Sequence, residues 1–159
     1  MSRNRVTEKD HGWKRIKGEM KAAQNSGVKV GILSDETETY DNGADMLLVA
    51  AANEFGTADG HIPPRPFIRG GFDQNQRALG RTAQRLWGQV LAGRITTRQA
   101  LGLLGEKHQG QVQEYISALQ TPANAPSTIR QKSTSAGAGN SPLEDEGRLR
   151  NSIRWEHDE

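Results

Sequence analysis

The sequence predicts an α+β fold: a small, mainly antiparallel sheet with helices packed on one face, among them a long antiparallel helix pair. Three observations predict it. Val28, Val30 and Ile32 alternate along one short segment, the period-two signature of a half-buried strand. Leu79, Ala83, Leu86 and Val90 recur every three or four residues, as do Leu101, Leu104, His108, Val112, Tyr115 and Leu119. Only the turn Ala92-Gly93-Arg94 lies between those two patterns, and amphipathic helices joined so closely fold back antiparallel.

A chain of 159 residues suits one domain. Its apolar share of 33% and mean hydropathy of -0.77 are low for a compact core, so parts of it are expected to gain order by packing on copies or partners. Cysteine is absent, which excludes disulfides, thiolate ligands and cysteine nucleophiles and fits a reducing cytoplasm. The N-terminus is charged without an apolar core, so no signal peptide is expected. The best apolar run, Met46 to Ala52, falls far short of the ~20 residues that span a bilayer, and no membrane partner is expected.

The net charge of +2 does not demand nucleic acid. Its distribution is more informative. Arg3, Arg5, Lys9, Lys14, Arg15, Lys17 and Lys21 make the N-terminal part basic, and Asp35, Glu36, Glu38, Asp41 and Asp45 follow as an acidic stretch. A solvated surface is the plainer reading; the alternation also suits head-to-tail contacts between subunits.

Four regions follow along the chain: a basic N-terminal helix over 1–26, an α+β core over 27–120, a flexible arm or loop over 121–141, and a C-terminal turn and strand over 142–159. In the first, Trp13, Ile16, Met20 and Ala23 keep helical spacing, with Thr7 a candidate N-cap and Gly27 a stop. Gly12 and Gly18 weaken that helix by roughly 1 kcal/mol each relative to Ala. The strand reads Val28 to Leu33, and Ser34 to Gly43 reads as a polar loop.

Ala44 to Asn53 predicts a short, closely packed helix with Met46, Leu47, Ala50 and Ala51 on one side, ended by Phe55-Gly56-Thr57 with Gly56 as a left-handed terminator. Ile62-Pro63-Pro64-Arg65-Pro66-Phe67-Ile68-Arg69 predicts an extended turn, because proline removes donors and pushes the preceding residue out of the helical region. Gly70-Gly71 predict a break, so the long helix is expected from Asp73 to Leu91, with Arg77, Arg81 and Arg85 along another face. Thr96 or Thr97 caps the second long helix, in which Gly102, Gly105 and Gly110 predict a kink or close packing.

Thr121 to Ser141 is rich in Ser, Thr, Pro, Ala and Gly and predicts the arm or loop. Glu144 to Arg150 then predicts one or two helical turns, and Ile153 to Trp155 a terminal strand.

Little in the sequence suggests bond chemistry. The histidines His11, His61, His108 and His157 share no metal-ligand spacing, and His108 reads as a partly buried, satisfied residue of a helix stripe. Neither Gly102-Leu103-Leu104-Gly105 nor Gly70-Gly71 has the context of a phosphate loop or a dinucleotide fingerprint. Glu144, Asp145 and Glu146 are consecutive and point apart on a helix, and Glu54 reads as a lone acid. The arginine row reads as a solvated face or subunit contact before it reads as a track for phosphates.

Two local patterns are more specific. The first is Ala50-Ala51-Ala52-Asn53-Glu54-Phe55-Gly56-Thr57 followed by Ile62-Pro63-Pro64-Arg65-Pro66-Phe67-Ile68-Arg69. The second is Pro142-Leu143-Glu144-Asp145-Glu146-Gly147-Arg148-Leu149-Arg150-Asn151-Ser152-Ile153. In this order, with a helical region and a Ser/Thr/Pro-rich stretch between, they resemble the tail-completion and minor tail component family of tailed bacteriophages. Within the second, Glu146 stands where that family favours threonine, and the pattern also resembles the virion-morphogenesis proteins of Mu-like phages.

The resemblance implies a non-enzymatic virion protein of the tail or neck, assembled in the host cytoplasm, without cofactor, metal or catalytic residue. It implies a homo-oligomeric ring of six copies that completes or terminates the tail and helps join it to the head, sheet edges or loops linking the subunits. The implied partners are the tail tube protein and head–tail connector proteins, with incidental contact to DNA in the channel. Its motif residues, Asn53, Glu54, Phe55, Gly56, Arg65, Pro66, Phe67, Gly147, Leu149, Asn151 and Ser152, are the expected subunit or partner contacts. A connector element whose arginine row faces the DNA channel is the alternative.

Their residue types suit a shaping role. Prolines stiffen the turn that presents Phe67, Gly147 permits a positive φ, and Asn151 and Ser152 are placed to satisfy backbone groups at the start of the last strand.

Overall fold

The computed structural model describes residues 10–33, 39, 43–126, 129–130, 142–143 and 147–158. In chain order they form α1 (Trp13–Gln24), β1 (Gly27–Gly31), α2 (Met46–Phe55), α3 (Phe67–Leu91), α4 (Thr97–Ala118), α5 (Arg148–Asn151) and β2 (Arg154–Asp158). The architecture is α+β. β1 and β2 pair antiparallel, with Val30 opposite Trp155 and Val28 opposite His157, and the sheet lies on α4. α3 packs along α4 as the long antiparallel pair.

Alternation turns one face of the sheet toward α4, where glycines allow the approach. A Cβ on Gly105 would stand 2.5 Å from Val28 Cγ2 and 2.9 Å from the Trp155 ring, and one on Gly102 3.1 Å from the same ring. Close packing, not a kink, accounts for these two glycines. Gly110 meets nothing within 4 Å, and nothing in the structure explains it.

Met46, Ala50, Phe67, Val112, Ile116, Leu143, Leu149 and Ile153 form the main core. A smaller cluster of Leu86, Val90 and Ala100 closes the α3–α4 turn. The stripe expected on α4 is therefore rotated: Ala100, Gly105, Val112 and Ile116 are buried, while Leu101 and Leu119 are only half-buried. The glycines on the inner side shift the helix's best-packed face away from its largest residues.

α3 begins at Phe67 and runs straight through Gly70-Gly71, where a break was expected. Tertiary packing overrides local propensity there. A Cβ on Gly70 would meet the Tyr115 hydroxyl at 2.5 Å, and one on Gly71 the Val112 side chain at 3.3 Å. The small residues are what let α4 come this close.

At α1 the structure replaces the expected cap. Asp10 accepts from the backbone N–H groups of Gly12 (2.9 Å) and Trp13 (2.7 Å), and Thr7 lies outside the described residues. α1 buries no residue at all. Arg15 and Glu19, one turn apart, hold it across the α3–α4 turn. The guanidinium donates to the carbonyls of Val90 (2.8 Å) and Leu91 (2.7 Å), closing α3. The Glu19 carboxylate accepts from Thr97 N–H (2.6 Å), opening α4, which also carries a Thr96–Gln99 capping box. Each charge sits at the helix end whose dipole favours it.

Three other expectations need correcting. The strands are displaced slightly, to Gly27–Gly31 and Arg154–Asp158, with Ile153 buried in the core just before β2. Ser152 Oγ donates to Leu149 O and so closes α5, not the strand, while Asn151 is exposed. The start of the expected arm is tied down: Pro122 and Ala123 give their carbonyls to Arg65, and Asn124 is buried. Most of the rest of 121–141, and Glu144 to Glu146, lie outside the described residues, as does most of the loop expected from Ser34 to Gly43. No helix among the described residues is long and apolar enough to cross a membrane.

Candidate functional site

The first motif folds into a corner between α2 and α3. Asp45 caps α2, accepting from Leu47 N–H at 2.8 Å, and Met46, Ala50 and Glu54 follow on one face at intervals of four. That spacing puts Glu54 in the core, at the start of α3. Its two carboxylate oxygens accept from Ile68 N–H (2.9 Å) and Arg69 N–H (3.2 Å), so the acid is an N-cap supplied from another helix.

Arg65 is buried on the opposite side of the corner. Nε donates to Pro122 O at 2.9 Å, one terminal nitrogen to Ala123 O at 3.0 Å, and the other to Asn53 Oδ1 at 3.3 Å. Burial pushes its pKa below the usual arginine value, but an arginine stays charged under those conditions. Backbone completes the joint: Arg65 N–H donates to Asn53 O at 2.6 Å.

Gly56 ends α2 with φ 76° and ψ 174°, positive as expected but extended in ψ, not left-handed helical. A Cβ there would stand 3.0 Å from Ile62 O and from Pro64. The intervening turn closes on itself, with Thr57 N–H donating to Ile62 O and Ile62 N–H to the Thr57 hydroxyl, both at 3.0 Å. The Thr57 hydroxyl also donates to Asp59 and holds that carboxyl below its usual value.

The second motif meets the first through the core. Leu143, Leu149 and Ile153 share a cluster with Phe67. Gly147 takes φ 72° as expected, and Gln113 on α4 donates to Arg150 O (3.2 Å) and Ile153 O (3.3 Å). Glu54, Arg65, Phe67, Leu149 and Ser152, expected as contacts, are thus buried within the chain and shape it from inside. Phe55, 73% exposed, and Asn151 do face outward. Pro66 sits at the N-cap position of α3.

Two open grooves lie beside this framework. One, of about 560 Å³, runs between α2 and α3 past Leu47, Phe55, Ile68 and Phe72. The other, of about 490 Å³, lies between β1 and α3, lined by Val28, Val30, Leu79, Ala83 and Leu104. Phe72 and His108 border both, their rings edge to face at 5.7 Å. Among the described residues β1 pairs only with β2, so the edge of β1 above the second groove carries no strand.

His108 was expected to be satisfied, yet its Nδ1 is buried without a hydrogen bond, as is Gln111 Oε1 one turn on. Burial lowers the imidazole below its ordinary value, and a weak approach of Gln111 only partly offsets this. No group of three or more His, Asp or Glu among the described residues could hold a metal ion. Sheet edges were expected as subunit contacts only from the family resemblance; which edge stands open, and the role of Glu54, were not read from the residues. Edge position is invisible in one chain, but Glu54 continuing the Met46 and Ala50 interval was a usable signal.

Comparison of the chain with models of protein families, with curated proteins and with solved structures returns no match.

Proposed function

We propose that the chain is a structural virion protein that completes or terminates a phage tail and helps join it to the head, acting as a ring of six copies. The observation that carries this reading is the uncovered groove beside β1. Among the described residues the two strands cover α4, while α3 has no comparable packing against the sheet and leaves Phe72, Leu79 and Ala83 beside an unpaired strand edge. An exposed edge over an apolar floor favours strand addition, in which backbone hydrogen bonds supply affinity and alternate side chains supply fit. A ring of copies satisfies every such edge by repetition.

The rest of the reading comes from the two sequence motifs, whose order resembles the tail-completion family. Their buried residues support it by rigidity: Glu54 and Arg65 are fully engaged in fixing the α2–α3 corner that presents Phe55 and the first groove. The tail tube protein and head–tail connector proteins are the partners proposed for those outer surfaces.

Sedimentation of the full chain, followed by imaging of the assembled neck, tests this. The reading expects a closed ring, lost on Ala83→Glu, which charges the groove floor without touching the strand. A chain that remains monomeric at high concentration and does not join purified tails overturns it. Replacing Arg77, Arg81 and Arg85 by Ala separates the connector alternative, because loss of salt-sensitive DNA binding with intact rings would favour a channel-facing role.

A further inference from the structure

α1 is amphipathic in sequence, yet it buries no residue. Arg15 donates to the carbonyls of Val90 and Leu91, and Glu19 accepts from Thr97. These bonds fix the rotation of α1 and turn Trp13 (63% exposed) and Met20 (55% exposed) away from the rest of the chain. Two helical turns separate them, so they project from one side about 10 Å apart along the axis. Lys14, Lys17 and Lys21, all exposed, follow one edge of this apolar pair. The helix thus offers two large apolar anchors with a basic border, all directed outward.

The groove between α2 and α3 has the complementary form. Leu47, Ala51 and Phe55 line it from α2, and Ile68 and Phe72 from α3. From Leu47 to Phe55 the wall runs about 12 Å along α2, room for both anchors in line. α2 carries no cation anywhere from Met46 to Phe55. Carboxylates stand in and beside the groove: Glu54 in its lining, Asp45 at the start of α2 and Asp73 next to Phe72, the last two exposed. Arg69 is the one permanent cation in the lining. The hydrogen bonds of Glu54 and Arg65 hold the α2–α3 corner in place, so little ordering opposes occupation of the groove.

We infer that α1 of one copy lies in the α2–α3 groove of the next, with Trp13 and Met20 against Leu47, Phe55 and Phe72 and the lysines toward the bordering carboxylates. Seating an amphipathic helix through apolar anchors at i and i+7 is a recurring mode of recognition. The aromatic walls suit both anchors, an indole through edge contacts and a thioether through its sulfur. One chain cannot fill its own groove, because α1 binds α3 at Val90, about 33 Å along that helix from Ile68. Helix and groove at opposite ends of a chain make a heterologous contact, the kind that closes rings. Phe72 borders this groove and the one beside β1, so the neighbour's helix sits next to the strand edge proposed above as an interface. DNA phosphates would engage the lysines but leave Trp13 and Met20 without partners. The inference rests on the proposed ring and names what fills the first groove. Leu48, 69% exposed on the outer side of α2, is left for the tail and connector proteins.

Sedimentation velocity of the full chain tests it, with circular dichroism as the folding check. Trp13→Ala and Met20→Ala together remove the anchors at exposed positions, and Ala51→Glu fills and charges the groove wall at another. Either chain should need a concentration on the order of tenfold higher or more to associate. Phe55→Ala, at a 73% exposed position of the same wall, is a milder change and should act in the same direction. Mixed one to one, the anchor and groove variants should form dimers at concentrations where neither associates alone, because each supplies the half that the other lacks. Lys14→Glu, Lys17→Glu and Lys21→Glu together should weaken association more at low salt than at moderate salt. Unchanged association of the anchor variant, in a protein whose rings Ala83→Glu still disrupts, overturns the inference and leaves the ring. So does a mixture that behaves as its components do separately. An anchor variant that assembles normally but loses affinity for duplex DNA or for anionic phospholipid vesicles overturns it too. A wild-type chain that never associates sinks both, through the ring reading itself.

Discussion

The α2–α3 corner and the α1 clamp use the same two residue types for the same purpose. In each, one carboxylate satisfies the N–H groups that open a helix and one guanidinium satisfies backbone carbonyls, yet Glu54 and Arg65 are buried while Glu19 and Arg15 lie at the surface. The difference teaches where stability and adaptability reside. Breaking a buried hydrogen-bonded charge strands polar groups that water cannot reach, whereas a surface partner is replaced by solvent. The corner is therefore expected to be fixed and the clamp to yield.

The sharpest way to break this comparison is Arg65→Ala. It strands the carbonyls of Pro122 and Ala123 and the amide oxygen of Asn53, and it should lower unfolding stability by about 3 kcal/mol. Denaturant unfolding measures it. A loss no larger than that of Arg15→Ala would show that burial does not distinguish the two regions. Glu54→Gln is a smaller change, since an amide retains one acceptor for two backbone donors. It should destabilise by about 1 to 2 kcal/mol, with faster hydrogen exchange at Ile68 and Arg69 before the rest of α3.

These two regions also mark what sequence reasoning could reach. Period alone located both long helices, their turn and β1, because Leu79, Leu86, Val90 and Val112 are buried at the spacing expected of them. It failed where a distant residue decides local structure. Gly70-Gly71 look like a break until Tyr115 and Val112 occupy the space that side chains would fill and Glu54 caps the helix start. Ile116 was overlooked on α4 because inner glycines, against which the sheet rests, shift the buried face off the Leu101 and Leu119 stripe. In the corner, the motif residues were legible as rigid turn chemistry, but their inward or outward direction was not. Arg65 and Phe67 turn in while Phe55 turns out, a difference set by which side α4 and Pro122 approach. On α1, Arg15 and Glu19 looked like any surface pair one turn apart, since nothing local reveals that two helix ends lie against them.

The smallest effect sharpens the comparison by pH. Hydrogen bonds from Thr97, its backbone N–H first, hold the Glu19 carboxyl below its ordinary value of 4.5, with Arg15 adding a lesser attraction. A carboxyl lowered in the folded state binds fewer protons there than in the unfolded chain, so its contribution is complete above 4.5 and disappears as pH falls through the lowered value. Because the group is largely solvated, that contribution is less than about 1 kcal/mol. Glu19→Gln should therefore be slightly less stable than the original chain from neutrality down to the ordinary carboxylate range, and indistinguishable from it at lower pH. Paired denaturant titrations across that range check the expectation. A difference that persists at low pH would mean that Glu19 acts through packing and not through charge, and the clamp would then be as rigid as the corner it was contrasted with.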